Sequence, residues 1–170
     1  MKQKRHEEFF YTAGLSDFVK YLTTGKHPIH QDIVRISGSR GDIQIDVAFQ
    51  YTDRFDEVSL SFVNSINTRD GGTHVSGFRS ALTKTLNYIG NEKGFIKSKD
   101  PQPTGDDYRE GLCLVISAKV SEPLFESQTK ARLTNPEVEG VVSSIVGEEL
   151  KKYFHSNLQT ARAIIEKAIN

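Results

Sequence analysis

Between Gly41 and Tyr51 apolar and polar residues alternate. Ile43, Ile45, Val47, Phe49 and Tyr51 fall on one side of an extended chain, and Gln44, Asp46 and Gln50 on the other. A period of two marks a half-buried β-strand. The stretch from Ile33 to Asp42 supplies a partner strand, with Ser39, Arg40 and Gly41 as turn chemistry. Val58, Leu60 and Phe62 continue the alternation. Together these predict a three-stranded antiparallel meander with one wet face.

Elsewhere the period is helical. Leu15, Phe18, Val19 and Leu22 share a face of a short helix that Gly25 can stop. Val75, Phe78, Leu82, Leu86 and Ile89 form the stripe of a second helix, with Thr73 as its expected cap. A lysine-bearing loop from Asn91 to Gly105 is expected to be mobile. A fourth strand places Leu112, Leu114, Ile116, Ala118 and Val120 on one face. A third helix begins with Asn135 as cap and Pro136 in its first turn, where Glu137 and Glu139 suit the helix dipole. Its stripe is Val138, Val142, Ile145, Val146, Leu150 and Phe154, and a last helix runs from about Leu158. The order predicts an α+β fold: a four-stranded, mostly antiparallel or mixed sheet with helices packed on one face.

The 170 residues make one domain the expectation, and 36% hydrophobic content is enough for a real core. Twenty-two basic residues cancel twenty-two acidic ones, so any polyanionic partner must be met by a local patch. The single cysteine, Cys113, excludes an internal disulfide framework and reads as a buried thiol in a reducing cytoplasm. No secretory signal opens the chain, and no apolar run approaches the ~18 residues of a membrane span. The charged start KQKRHEE reads as a connector over residues 1–8, which makes an internal piece of a longer chain the expectation.

Site motifs are sparse. There is no phosphate-binding glycine loop with its lysine, no metal-spaced Cys/His set and no nucleophile elbow. His27 and His30 could clamp a metal only with a third ligand. Asp106, Asp107 and Glu110 read either as a hard-cation site or as an acidic helical turn capped by Thr104. The helix opened by RDGGTH carries Arg79 and Lys84 near its wet side, which is either a solvated face or a weak contact to a phosphate backbone. The stretch ESQTKARLTN, from Glu126 to Asn135, is either an ordinary solvated connection or a loop aiming Lys130 at a phosphate. With Leu133 near its end as its one apolar anchor, it is expected to be mobile in this chain alone. Gln128 could donate an amide hydrogen to the same group.

Three stretches together resemble one family. LSFVNSINTRDGGTHVSGFRSALTKTLN, TGDDYREGLCLVISAKV and FESQTKARLTNPEVEG are similar, in order, to the second or transducer domain of the DNA gyrase B family, a group of type IIA topoisomerases. The similarity runs from about Phe9 to Asn170, with one departure at FFYTAGL, where the family more usually has a Gly-Gly pair. It implies a ribosomal-protein-S5-domain-2-like α+β fold over residues 9–170. It also implies a GHKL-type ATPase domain upstream and a TOPRIM domain downstream, both outside this chain. By resemblance, Lys130 would be a catalytic group contacting the γ-phosphate of ATP, with Gln128 beside it, and Mg²⁺ would be held by other domains. Arg79 and Lys84 would lie along the path of a passing DNA duplex, bound weakly and without regard to sequence. The implied partners are the ATPase domain, a second copy of gyrase B and the gyrase A protein, in the cytoplasm and away from membranes. The topoisomerase IV counterpart, and a non-enzymatic nucleic-acid or protein interaction module of the same fold, are the alternatives.

Overall fold

The computed structural model describes residues 14–170. The connector 1–8 and most of FFYTAGL lie outside these residues. The described elements are a helix over 14–22 (α1), strands Val34–Arg40 (β1), Ile43–Tyr51 (β2), Val58–Val63 (β3) and Ile66–Asn67 (β4), and helix Thr73–Lys93 (α2). A 3₁₀ turn at Asp107–Arg109, strand Leu112–Lys119 (β5) and helices Pro136–Ser156 (α3) and Leu158–Ile169 (α4) complete the order. The α+β class expected from the hydrophobic pattern is the one observed.

The sheet is mixed and has the order β1-β2-β5-β3-β4. β1 and β2 form the expected hairpin, with Ile36 opposite Val47. The three-stranded meander does not form. β5 occupies the place beside β2, pairing antiparallel with it, and β3 joins β5 in parallel. A strand bonded on both edges and covered on both faces has no wet side, so β5 is buried from Leu112 to Ala118 rather than along one face. The count also rises from four strands to five. Asn64 and Ser65, both with positive φ, turn β3 into the two-residue β4, as a two-residue hairpin turn requires.

The two faces are covered separately. α2, α3 and α4 close the larger core, in which the rings of Phe49 and Phe78 meet at 5.6 Å. Phe78, Leu82 and Leu86 are buried there and Lys84 is exposed, as the helical period predicts. α1 packs on the opposite face, where Leu15, Phe18 and Val19 meet Ala48, Phe62 and Val115. Helices therefore cover both faces of the sheet, where the sequence pattern predicts cover on one.

The loop from 91 to 105 is pinned instead of loose. Ile96 is buried against Gly90, and Asn87 donates to the Pro103 carbonyl at 3.0 Å. Such anchors convert a lysine-rich surface segment into a fixed one.

α2 and α3 approach most closely at Gly77. A Cβ there would stand 2.6 Å from the Glu139 carbonyl oxygen and 3.0 Å from the Val142 Cβ. Backbone on the far side cannot rotate away as a side chain can, so overpacking is costly here. Gly77→Val is expected to destabilise the chain by about 1–3 kcal/mol and lower its melting temperature by several degrees, measured by calorimetry. An unchanged melting point would mean that the helices slide apart freely.

Candidate functional site

The stretch around Lys130 is a stem with a tight tip, not the mobile loop that its residues predict. Thr134 N donates to the Leu124 carbonyl at 2.8 Å and Glu126 N to the Arg132 carbonyl at 3.0 Å, with Phe125 bridged to Leu133 between them. Leu133 is fully buried and Ala131 nearly so, which anchors the descending limb. At the tip Lys130 N donates to the Ser127 carbonyl at 3.1 Å, closing a turn. Lys130 itself sits at φ 56°, a left-handed conformation that a lysine adopts only when its surroundings impose it. Gln128 and Lys130 are both exposed, and neither side chain has a partner among the described residues.

Asn135 holds the base of this stem. It stands at the N-terminus of α3, but its side chain does not cap the helix. Its Oδ1 instead accepts from Leu124 N at 2.6 Å, while Nδ2 donates to the Glu122 carbonyl at 3.1 Å and to Glu137 Oε1 at 2.9 Å. The sequence rule recognises an asparagine before a helix. It cannot recognise that the segment eleven residues earlier needs those atoms more.

The descending limb is laced to the RDGGTH turn. Asp70 N donates to the Ala131 carbonyl at 2.8 Å, Leu133 N to the Gly71 carbonyl at 3.1 Å, and Thr73 N to the Leu133 carbonyl at 3.1 Å. Gly72, at φ 134°, lies so close that a Cβ would overlap the backbone oxygen and nitrogen of Leu133. The turn therefore needs glycine because another strand of backbone passes through the space of a side chain. Thr73 is inside the helix and its hydroxyl caps nothing. The cap position belongs to Gly72.

Arg79 projects from α2 into a polar cleft of about 260 Å³ next to this junction. Its Nη2 donates to both carboxylate oxygens of Glu57, at 2.9 and 3.1 Å, and Arg109 reaches the same carboxylate at 3.2 Å. Glu57 is only 16% exposed, so this is a substantially desolvated arrangement of one anion between two cations. Arg69 and Arg132 line the same cleft. Lys84, five residues beyond Arg79, is rotated about 140° around the helix. The structure thus gathers Arg79 with Arg69 and Arg132 and leaves Lys84 exposed elsewhere. Sequence reasoning does not single out Glu57, Arg69 or Arg132, although Arg69 adjoins the glycine turn and Arg132 follows Lys130 by two.

The remaining candidates have structural work. His30 Nδ1 lies 2.8 Å from the Asp32 carbonyl and Nε2 accepts from Tyr51 N at 2.9 Å, so both nitrogens are occupied. Burial lowers its pKa. Asp107 accepts from Thr104 N at 2.8 Å in the acidic-turn arrangement, and Asp106 pairs with Arg109. Cys113 is buried, which raises its thiol pKa. Among the described residues no group of three or more His, Cys, Asp or Glu side chains could hold a metal, and no helix is long and apolar enough to cross a membrane.

This fold recurs in the ATP-binding regions of topoisomerases. Over 91% of the chain and 41% of theirs, it resembles the topoisomerase IV ATP-binding domain of Francisella tularensis solved with a small-molecule inhibitor, at a TM-score of 0.78 and 27% identity. The 43K ATPase domain of Thermus thermophilus gyrase B, solved with an aminocoumarin, matches over 91% of the chain and 42% of its own, at a TM-score of 0.86 and 38% identity. The DNA gyrase B family model matches residues 14–170, and the chain belongs to that family. DNA gyrase B of Mycobacterium leprae is 46% identical over 166 residues, 98% of this chain and 24% of the relative. The chain therefore spans about a quarter of that relative's length.

Beneath the RDGGTH turn, Ser61 Oγ donates to the Thr68 carbonyl at 2.7 Å, and Thr68 Oγ1 lies 3.2 Å from His74 Nε2. His74 is fully buried and its Nδ1 has no partner, so desolvation lowers its pKa to about 4. The unfolded chain takes up this proton near pH 6.5, and the folded one only near pH 4. Stability contributed by neutral His74 is therefore full above pH 6.5 and is lost as pH falls towards 4, by up to about 3 kcal/mol. Urea midpoints of wild type and His74→Gln across pH 4–7 are expected to converge as pH falls. Parallel curves would show that His74 titrates normally.

Proposed function

We propose that residues 9–170 are the transducer domain of an ATP-dependent type II DNA topoisomerase of the gyrase B type. In this role Lys130 carries a cation to the γ-phosphate of ATP held by an adjoining GHKL ATPase domain. The observation that carries this is the tip of the stem. Lys130 is held in a left-handed conformation, exposed and unpartnered, on a limb fixed by backbone hydrogen bonds to the first turn of α2. A lysine serving only solubility has no need of such support. Family membership, and 38% identity to the Thermus thermophilus gyrase B structure against 27% to the topoisomerase IV structure, favour the gyrase type.

Lys130 and Gln128 suit an anionic ligand. An ammonium offers a compact charge, and the amide a neutral hydrogen-bond donor beside it. ATP supplies the γ-phosphate whose transfer builds up negative charge, and a fixed cation lowers the cost of that charge. No carboxylate partner must be displaced before Lys130 can make this contact. The contact exists only with the γ-phosphate attached, so its loss on hydrolysis frees the stem and biases the domain towards a second arrangement. Mg²⁺ would be coordinated by side chains of other domains.

Arg79 faces a duplex in transit, with Lys84 as a weaker, separate contact. Its ion pair with Glu57 limits how strongly it can hold a phosphate, which suits a segment that must pass. A second copy of gyrase B, the gyrase A protein and a cytoplasmic location complete the proposal.

In the full-length protein, Lys130→Ala is expected to slow steady-state ATP hydrolysis by roughly 100- to 1000-fold with its melting temperature unchanged. Gln128→Ala should act in the same direction more weakly, because a neutral donor gives up less than a cation. Wild-type turnover in Lys130→Ala would leave an interaction module in place of a nucleotide-coupled domain. Arg79→Gln should weaken DNA-stimulated hydrolysis and reduce the slope of log affinity against log salt by about one. Unchanged stimulation and slope would confine Arg79 to its bond with Glu57.

A further inference from the structure

Three arginines converge on the cleft between the RDGGTH turn and the stem, and only one of them is neutralised. Arg79 is held by Glu57. The guanidinium groups of Arg69 and Arg132 have no hydrogen bond or ion pair among the described residues, although both line the same cavity of about 260 Å³. Asp70 is the one carboxylate in the lining. It makes no salt bridge with either arginine, and the first turn of α2 carries no acidic residue. The lining is therefore net cationic and preset in geometry, because three backbone bonds between residues 70–73 and 131–133 fix the distance between the segments bearing Arg69 and Arg132.

We propose that this cleft is a seat for a phosphodiester group of duplex DNA, with Arg69 and Arg132 as its principal contacts and Arg79 as its restrained third. The planar guanidinium fork matches the paired oxygens of a phosphate, which an ammonium does not. The cavity is smaller than the roughly 300–1,000 Å³ that whole small-molecule ligands occupy. Its lining contains no aromatic ring on which a base could stack. Hydroxyls of Ser59, Ser61 and Ser76 supply polar edges instead. These features fit a bare phosphate group presented by a backbone and do not fit a nucleotide. Arg132 lies two residues from Lys130, so the segment that carries the nucleotide-facing lysine also carries a DNA-facing arginine. The proposal rests on the DNA-facing role given to Arg79.

The test measures binding of a fluorescent, short, mixed-sequence duplex to the chain over a salt series by anisotropy. The variants are wild type, the double variant R69Q/R132Q, and the charge-matched control K20Q/K152Q, whose lysines lie on α1 and α3. Melting curves check folding, which two exposed arginines should not affect. The expected result is a salt slope reduced by about two in R69Q/R132Q and unchanged in the control. A slope kept by R69Q/R132Q, with wild type binding duplex, overturns the seat and leaves the DNA-facing role of Arg79 standing. A parallel titration with inorganic phosphate follows the amide resonances of Gly71 and Gly72. Arginine-dependent phosphate binding without duplex binding would make the cleft a free-oxyanion site, overturning both the seat and the DNA-facing role. Binding of neither ligand by wild type overturns both as well.

Discussion

Strand β5 pairs antiparallel with β2 on one edge and parallel with β3 on the other, and a strand in that position must be apolar on both faces. Its residues from Leu112 to Ala118 meet the condition, and the rest of the architecture is arranged around it. Because β5 fills the gap between β2 and β3, the chain between β3 and β5 must leave the sheet and return in the same direction. α2 makes that crossover. With both faces apolar, a single layer of helices is insufficient. α2, α3 and α4 cover one side and α1 the other.

The proposed functional surface lies where that crossover begins. Gly71 and Gly72 let the backbone of 131–133 run against the start of α2 without an intervening side chain, and three hydrogen bonds close the junction. Lys130 extends from one end of it and the arginine cleft opens beside it. Neither group depends on the flexibility usually ascribed to polar loops. Asn135 at the base and the left-handed Lys130 at the tip are both fixed by backbone partners.

Much of this is legible in the residues. The periods of α2 and α3 place Phe78, Leu82, Val142 and Leu150 in the core correctly, and the β1–β2 hairpin follows from alternation and turn chemistry. Strand neighbours are not legible. Alternation in β3 fixes which residues share a face but not which strand lies alongside, so the pattern sets β3 next to β2 and leaves the fourth strand outside the pair that β5 in fact separates. Local capping rules fail at Thr73 and Asn135 because long-range backbone demands override them. Gln128, Lys130, Arg79 and Lys84 stand out in the residues only as open alternatives, and their expected roles come from the family resemblance. Arg69, Arg132 and Glu57 lie on separate segments that only the fold brings near Arg79.

The close approach at Gly72 has a mechanical meaning. α2 contains 21 residues, so at a rise of 1.5 Å per residue it is a rod about 31 Å long. Its first turn is bonded directly to the limb below Lys130, with no compressible side chain at the joint. α2 is also locked along its length to α3, where the Gly77 backbone meets the Glu139 carbonyl with no side chain between them. A push on the stem would therefore pass to the α2–α3 pair as one body, with little lost at the joint.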